Sequence, residues 1–153
     1  MTTHRLVLAS TSPFRRALLE RLGLPFEVAA PEVDESSLPG ESPEALVLRL
    51  SEAKARAVAA SLADALVIGS DQVAVIDGEV LGKPGGRERA IAQLLRASGR
   101  RVTFLTGLCV VDAASSRAHR ACEPFHVHFR TLAADQIARY VDREQPFNCA
   151  GSF

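Results

Sequence analysis

Two arginines lie where a helix is predicted to begin, and a cation is unfavourable at that end of a helix. Ser12 is a suitable N-cap and Pro13 a suitable first helical residue, which places Arg15 and Arg16 in the first turn. A cation there costs about 0.3–1 kcal/mol, because the turn already carries a partial positive charge. Together with Ser10 and backbone N–H groups, the arginines could surround a phosphate. The alternative is an ordinary N-cap with two solvated arginines.

A lysine lies on the apolar side of a second predicted helix, over residues 43–62. On a helical wheel, Lys54 falls near the middle of the stripe that is predicted to face inward. That stripe consists of Val47, Leu50, Ala57, Val58 and Ser61. Two interpretations follow: the stem passes the core and the ammonium reaches water, or the ammonium meets a buried anion.

An aspartate and a second lysine flank a predicted hairpin. Asp71 follows the apolar run 65–69, so we expect it to project from the end of a core strand, where many α/β proteins bind ligands. Lys83 follows the hairpin and is expected to return to the same end of the sheet. The pair suggests a carboxylate base or metal ligand beside a cation that binds phosphate. The alternative is a turn aspartate and a loop lysine.

An acidic loop follows the second predicted strand and contains Glu32, Asp34 and Glu35. Closely spaced carboxylates can hold Mg²⁺ beside the phosphates of a substrate. A solvated acidic loop is the more common explanation of such a pattern.

Histidine and cysteine give little indication of a metal site. His126 and His128 share one strand face without a carboxylate partner, so we interpret them as surface or core residues. Cys109, Cys122 and Cys149 are widely separated and odd in number, which favours reduced thiols over a disulfide framework or a zinc site.

The segments that must position these side chains alternate between strand and helix. Strands are predicted at 5–9, 25–33, 65–70, 73–76, 79–81, 101–111 and 119–131, and helices at 13–22, 43–62, 86–98 and 132–144. Asp77 and Gly78 suit a type I′ hairpin turn. Because the chain combines helical crossovers with hairpins, we predict an α/β fold with a mixed sheet flanked by helices.

Composition favours one globular domain over residues 1–153. The content is 47% hydrophobic and 24% charged, and 18 basic residues balance 18 acidic ones, so no global field attracts nucleic acid or an anionic membrane. The apolar run near the start of the sequence is too short for a signal peptide. No stretch approaches the roughly 18 apolar residues that cross a bilayer. We therefore expect a cytoplasmic protein. Since no strand or helix follows the loop 145–153, we also expect that a C-terminal part is missing.

The order of the motifs resembles one family from residue 6 to the end. LASTSPFRRALLERLG, PEVDE, AKA in the long helix, GSDQ, GEVLGKP, TG at 106–107, FRTL and AGSF are similar to the Maf family of nucleoside triphosphate pyrophosphatases, also called septum formation inhibitor proteins. STSPFRR, GSDQ and NCAGSF most resemble its 7-methylguanosine triphosphate pyrophosphatase subfamily. Pyrimidine-directed members instead carry arginine at the position of Phe14 and threonine at that of Gln72.

The resemblance implies hydrolysis between the α and β phosphates of a nucleoside triphosphate, with Mg or Mn as the divalent metal cofactor. It also implies a homodimer and a Maf/ITPase-like fold of two lobes with a central cleft. No nucleic acid or membrane partner is implied.

The resemblance also assigns roles to residues of this chain. It matches Asp71 to the proton acceptor and Glu35 to the acidic-loop residue, so we expect both at the metal. The expected catalytic cations are Lys54 and Lys83. The expected substrate-binding residues are Ser10, Phe14, Arg15, Arg16 and Gln72.

Two alternatives to a 7-methyl-GTP pyrophosphatase stay open. One is a dTTP/UTP pyrophosphatase of the same family, against which Phe14 and Gln72 argue. The other is a nucleotide-binding or division-regulating protein without turnover. Family members continue past AGSF and carry a third, acidic base-selecting residue there, which this chain does not contain.

Overall fold

The computed structural model describes residues 4–153, and residues 1–3 of the segment considered for a signal peptide lie outside it. Strands and helices alternate as predicted. The elements in chain order are β1 (Leu6–Ala9), α1 (Pro13–Glu20), β2 (Glu27–Ala29), α2 (Pro43–Ala59), β3 (Leu66–Ile76), β4 (Glu79–Leu81), α3 (Arg87–Ala97), β5 (Arg101–Asp112), β6 (Ala118–His128), α4 (Ala134–Glu144) and a 3₁₀ turn at Ala150–Ser152.

The predicted mixed sheet is confirmed. Its order is β2-β1-β3-β5-β6, with β4 paired to β3. β1 runs parallel to both β2 and β3, whereas β3 and β4 are antiparallel, with Ile76 opposite Glu79. The turn between them has positive φ at both Asp77 and Gly78, as a type I′ hairpin requires.

The strands predicted at 65–70 and 73–76 form one continuous strand, and this corrects the expected position of Asp71. Instead of ending before Asp71, β3 continues through it to Ile76. The pairing of β3 with β1 reaches Ile68, and its pairing with β4 begins at Ala74. Asp71 therefore lies inside a long strand, between these two partner segments. A charged residue broke the apolar pattern without breaking the strand, because its carboxylate has a cation beside it.

The helical periodicities predicted the helices better than they predicted burial. The apolar face of α1 is open: Phe14 and Leu18 are exposed, and so is Leu22, which follows the end of the helix at Glu20. On α2 the inward position of Lys54 is confirmed, but Ala57 and Ser61, which were assigned to the same stripe, are exposed. Ser61 lies beyond the end of α2 at Ala59, whereas Ala57 lies within the helix but on its exposed side.

The chain divides into two compact units. The first comprises the described residues up to Asp71 together with Thr106–Cys122, and the second comprises Gln72–Leu105 and Glu123–Phe153. Each has its own apolar core. The core of the first unit includes Val7, Ala55, Val58, Val67 and Val111, and that of the second includes Ile76, Val102, Phe104, Ile137 and Val141.

None of the helices within residues 4–153 has the length and apolar character needed to cross a bilayer.

Candidate active site

The ammonium of Lys54 binds two carboxylates in the first unit. Its Nζ lies 2.9 Å from Oδ1 of Asp71 and 2.6 Å from Oε1 of Glu35. The side chain of Lys54 is 8% exposed and that of Asp71 13%, whereas Glu35 is 54% exposed. Of the two interpretations of Lys54, the structure therefore shows the second, in which the ammonium meets anions. A pair this well buried is strongly affected by the loss of either partner.

Close packing of α2 against the sheet brings Lys54 to Asp71. A Cβ on Gly69 would overlap the carbonyl oxygen of Ser51 and lie 2.8 Å from the backbone nitrogen of Ala55, and a Cβ on Gly107 would lie 2.5 Å from Oγ of Ser51. The sheet can approach the helix backbone only because these positions have no side chain. Ser51 itself donates to the carbonyl of Val47, so its hydroxyl is satisfied in this contact.

Arg15 completes a group of four charges in the first unit. Its side chain is half-buried, and burial lowers the pKa of the guanidinium, while the nearby charges of Asp71 and Glu35 act in the opposite direction. The loop before it is fixed locally: Ser12 N–H donates to Oγ of Ser10 at 3.0 Å, and Arg15 N–H donates to Oγ of Ser12 at 3.3 Å. Ser10 and Ser12 thus fix the backbone at the start of α1, the helix that carries Arg15.

The two residues next to Arg15 have different surroundings. Arg16 is exposed and pairs with Glu20 one turn later, at 3.2 Å. This contact is an ordinary surface ion pair. Phe14 is 66% exposed, which leaves a ring face available for stacking.

Gln72 and Lys83 belong to the second unit, and both are exposed there. The loop that carries Lys83 is held by its neighbours. The carbonyl of Gly82 accepts from Nε2 of Gln93 at 3.0 Å and from the N–H of Gly151 at 3.3 Å, and the hydroxyl of Ser152 donates to Oε1 of Gln93 at 2.6 Å. The AGSF motif therefore fixes the backbone directly before Lys83.

Histidine and cysteine have ordinary structural surroundings. Oγ1 of Thr103 and Nδ1 of His126 are hydrogen-bonded at 2.9 Å. In the part of the chain that the structure describes, none of the cysteines is in a disulfide. Within residues 4–153, no group of three or more His, Cys, Asp or Glu side chains is arranged to hold a metal ion.

Sequence reasoning missed Arg49 and Glu41, which lie near the group of charges described above for the first unit. Nε and Nη2 of Arg49 donate to the two oxygens of the Glu41 carboxylate at 2.6 and 2.9 Å. Arg49 is on α2 and Glu41 precedes its N-cap, Ser42, so their spacing matches no helical pair. No pattern in the sequence indicates this contact, because it forms only when the preceding loop folds back along the helix.

The arrangement suits hydrolysis at a phosphate. A carboxylate can accept a proton from water, and two cations can offset the charge of phosphate oxygens. Asp71 and Lys54 have this geometry, and Arg15 supplies the second cation.

Comparison with known proteins identifies the family. The family model for Maf-like proteins matches residues 5–153. Among curated relatives, a protein of Alcanivorax borkumensis named 7-methyl-GTP pyrophosphatase is 59% identical over 99% of this chain and 77% of its own length. A protein of the same name from Pseudomonas aeruginosa is 60% identical over 97% of this chain and 77% of its own length.

A solved structure supports the fold. The Ham1 protein of Staphylococcus aureus superposes with a TM-score of 0.56 at 18% sequence identity, over 81% of this chain and 71% of that one. At this identity the likeness concerns the fold alone, and it agrees with the mixed α/β sheet described above. Since the family model covers nearly the whole chain and the curated relatives share more than half of its residues, the chain belongs to the Maf family.

Proposed function

We propose that this protein hydrolyses 7-methyl-GTP to the monophosphate and pyrophosphate. One observation of the structure carries the proposal: a buried aspartate, Asp71, is held by Lys54 next to Glu35 and within the field of Arg15. Relatives that share more than half of the residues carry the name 7-methyl-GTP pyrophosphatase, which supports this choice of substrate.

In the proposed reaction a water molecule attacks the α phosphorus and pyrophosphate leaves. Asp71 accepts the proton of that water on its carboxylate, which Lys54 holds by an ion pair. Lys54 and Arg15 offset negative charge that develops on the phosphate oxygens. Lys83 is assigned to the same reaction by the family resemblance alone.

A divalent cation, Mg²⁺ or Mn²⁺, is part of this proposal. Mg²⁺ is commonly bound through one or two carboxylates together with the phosphates of the substrate, and it neutralises their charge. Asp71 and Glu35 provide two carboxylates that already meet at one cation, the Lys54 ammonium, so their chemistry fits such an ion.

Base selection is assigned to Phe14 and Gln72. A methylated guanine is cationic, and an exposed ring such as that of Phe14 can stack on it with about 0.5–2 kcal/mol. The amide of Gln72 offers a donor and an acceptor for the edge of a base. Neither feature favours a small neutral pyrimidine.

The proposal also includes a cytoplasmic location and a homodimer. The three cysteines, none of which is in a disulfide, are consistent with a reducing compartment. The homodimer follows from the family resemblance, and sedimentation of the purified protein tests it.

Pyrophosphate release from a panel of nucleotides tests the function. With Mg²⁺ or Mn²⁺ present, we expect 7-methyl-GTP to be hydrolysed at least about tenfold more efficiently than UTP or dTTP, an advantage of roughly 1.4 kcal/mol. Better hydrolysis of UTP would favour the pyrimidine-directed alternative. Binding of nucleotides without any release would favour a protein without turnover.

Exchange of the two base-selecting residues should reduce this preference. We expect the double variant Phe14→Arg, Gln72→Thr to lower the ratio of kcat/KM for 7-methyl-GTP over UTP several-fold, because the stacking face and the amide are both lost. The check is a comparison of the two ratios under one metal concentration. An unchanged ratio would contradict the assignment of these residues.

Replacement of the buried lysine should lower both the rate of the reaction and the stability of the fold, because Asp71 loses its buried cation. In Lys54→Met the stem still packs within α2, but the charge that holds Asp71 and Glu35 is absent. We expect a loss of about tenfold or more in affinity or rate, which is at least about 1.4 kcal/mol. Arg56→Met is the matched control, since Arg56 is an exposed cation of the same helix. Equal losses in both variants would contradict a specific role for Lys54.

A further inference from the structure

The guanidinium of Arg49 joins two parts of the loop between β2 and α2. Besides its two bonds to Glu41, Nη2 of Arg49 donates to the carbonyl of Ser36 at 2.9 Å. Glu41 is well buried for an acidic side chain, at 7% exposed, and one of its oxygens also accepts from the N–H of Leu38 at 3.1 Å. One cation therefore ties residues 36, 38 and 41 to the helix.

The residue directly before this tied segment is Glu35, whose carboxylate binds Lys54. Its neighbours are fixed on both sides: Ser36 N–H donates to Oδ1 of Asp34 at 2.9 Å, and the Ser36 carbonyl accepts from Arg49. Glu35 is itself more than half exposed, so burial alone does not determine where its carboxylate lies. The ion pair with Lys54 and the course of the loop backbone together determine that position.

We propose that Arg49 is a positioning residue, which clamps the loop through Glu41 and Ser36 and so holds Glu35 at Lys54. The inference rests on the proposed function, for which it adds a residue that touches neither substrate nor the reacting atoms. Arg49 lies on the same helix as Lys54, so one rigid element carries both the cation of the site and the clamp of the loop.

The ionisation of Glu41 supports the clamp. The hydrogen bonds from Arg49 lower the pKa of the Glu41 carboxyl, and that of Arg49 is raised, chiefly by Glu41 and to a lesser extent by Asp34 and Asp71. Both partners therefore stay charged near neutral pH. A bidentate pair of arginine and carboxylate also fixes direction, which a lysine could not do.

The test compares Arg49→Met with Arg56→Met. Both variants remove one cation from α2, but Arg56 pairs with Glu52 and has no bond to the loop. Hydrogen exchange of the peptide that covers residues 33–41 reports on the clamp without any substrate. We expect faster exchange of this peptide in Arg49→Met and unchanged exchange in Arg56→Met. Equal exchange in the two variants would overturn the clamp.

A double-mutant cycle then tests whether Arg49 acts through Glu35. We expect Arg49→Met to lower kcat/KM for 7-methyl-GTP about tenfold, since small misplacements of catalytic groups are costly. In a Glu35→Gln background the same change should add less than about twofold, because the group to be positioned is already lost. Additive losses would overturn the positioning role and indicate a general effect on stability.

A milder variant covers the case in which Arg49→Met does not fold. Glu41→Gln keeps the shape of the side chain and removes only its charge, and we expect the same faster exchange and the same non-additivity with Glu35→Gln. If the wild-type protein had no pyrophosphatase activity, the proposed function would be overturned, and with it the expected effect of Arg49 on kcat/KM. Hydrogen exchange of the loop would still decide the clamp itself.

Discussion

Asp71→Asn is expected to abolish turnover of 7-methyl-GTP and to leave nucleotide binding within a few fold. The amide has the shape of the carboxylate but cannot accept a proton from water, and loss of a general base typically costs about 10²–10⁴ in rate. Lys54 keeps a partner in Glu35, so its charge is not left unpaired. Release of pyrophosphate gives the rate, and titration of the variant with nucleotide gives the affinity.

Asp77→Asn is the matched control for this prediction. Asp77 lies in the hairpin turn at the end of the same strand, pairs with Arg100 on the surface, and has a positive φ that asparagine also accepts. We expect it to retain wild-type turnover. Near-normal turnover in Asp71→Asn would remove Asp71 from the mechanism.

Gly69→Ala is expected to destabilise the protein strongly, although it adds a single methyl group. The new Cβ would overlap the backbone of α2 at Ser51 and approach the nitrogen of Ala55, so the helix must move away from β3. We expect a loss of at least about 3 kcal/mol in the free energy of unfolding. A loss of that size corresponds to a fall of about 6–12 °C in the thermal midpoint.

Gly82→Ala is the control, because a Cβ at Gly82 has no atom within 4 Å and its φ is not in the left-handed region. We expect its thermal midpoint to stay within about 2 °C of wild type. If Gly69→Ala melted at the same temperature as Gly82→Ala, the close contact between α2 and β3 would not be a determinant of stability.

Local patterns in the sequence predicted several parts of this structure. Asp77 and Gly78 predicted the hairpin, because few residues tolerate positive φ in succession. The apolar stripe of α2 predicted that Lys54 points inward. A buried anion was one of the two explanations for a lysine at that position. In both cases the signal is contained in a few neighbouring residues.

Features that depend on distant residues were not predictable in this way. Asp71 was placed at a strand end because a charge usually terminates a buried run, but Lys54, 17 positions earlier, allows the strand to continue. The bond from Arg49 to Ser36 spans 13 positions and depends on how the loop folds. The open apolar face of α1 could not be foreseen either, since periodicity indicates a helix and does not report what covers it.

Hydrolysis in heavy-oxygen water tests the central claim most directly. If Asp71 directs water to the α phosphorus, the label must enter the monophosphate product, 7-methyl-GMP, and pyrophosphate must remain unlabelled when the products are analysed by mass spectrometry. Asp71→Asn should give no labelled product above background. Label in pyrophosphate, or release of orthophosphate in its place, would contradict attack at the α phosphorus.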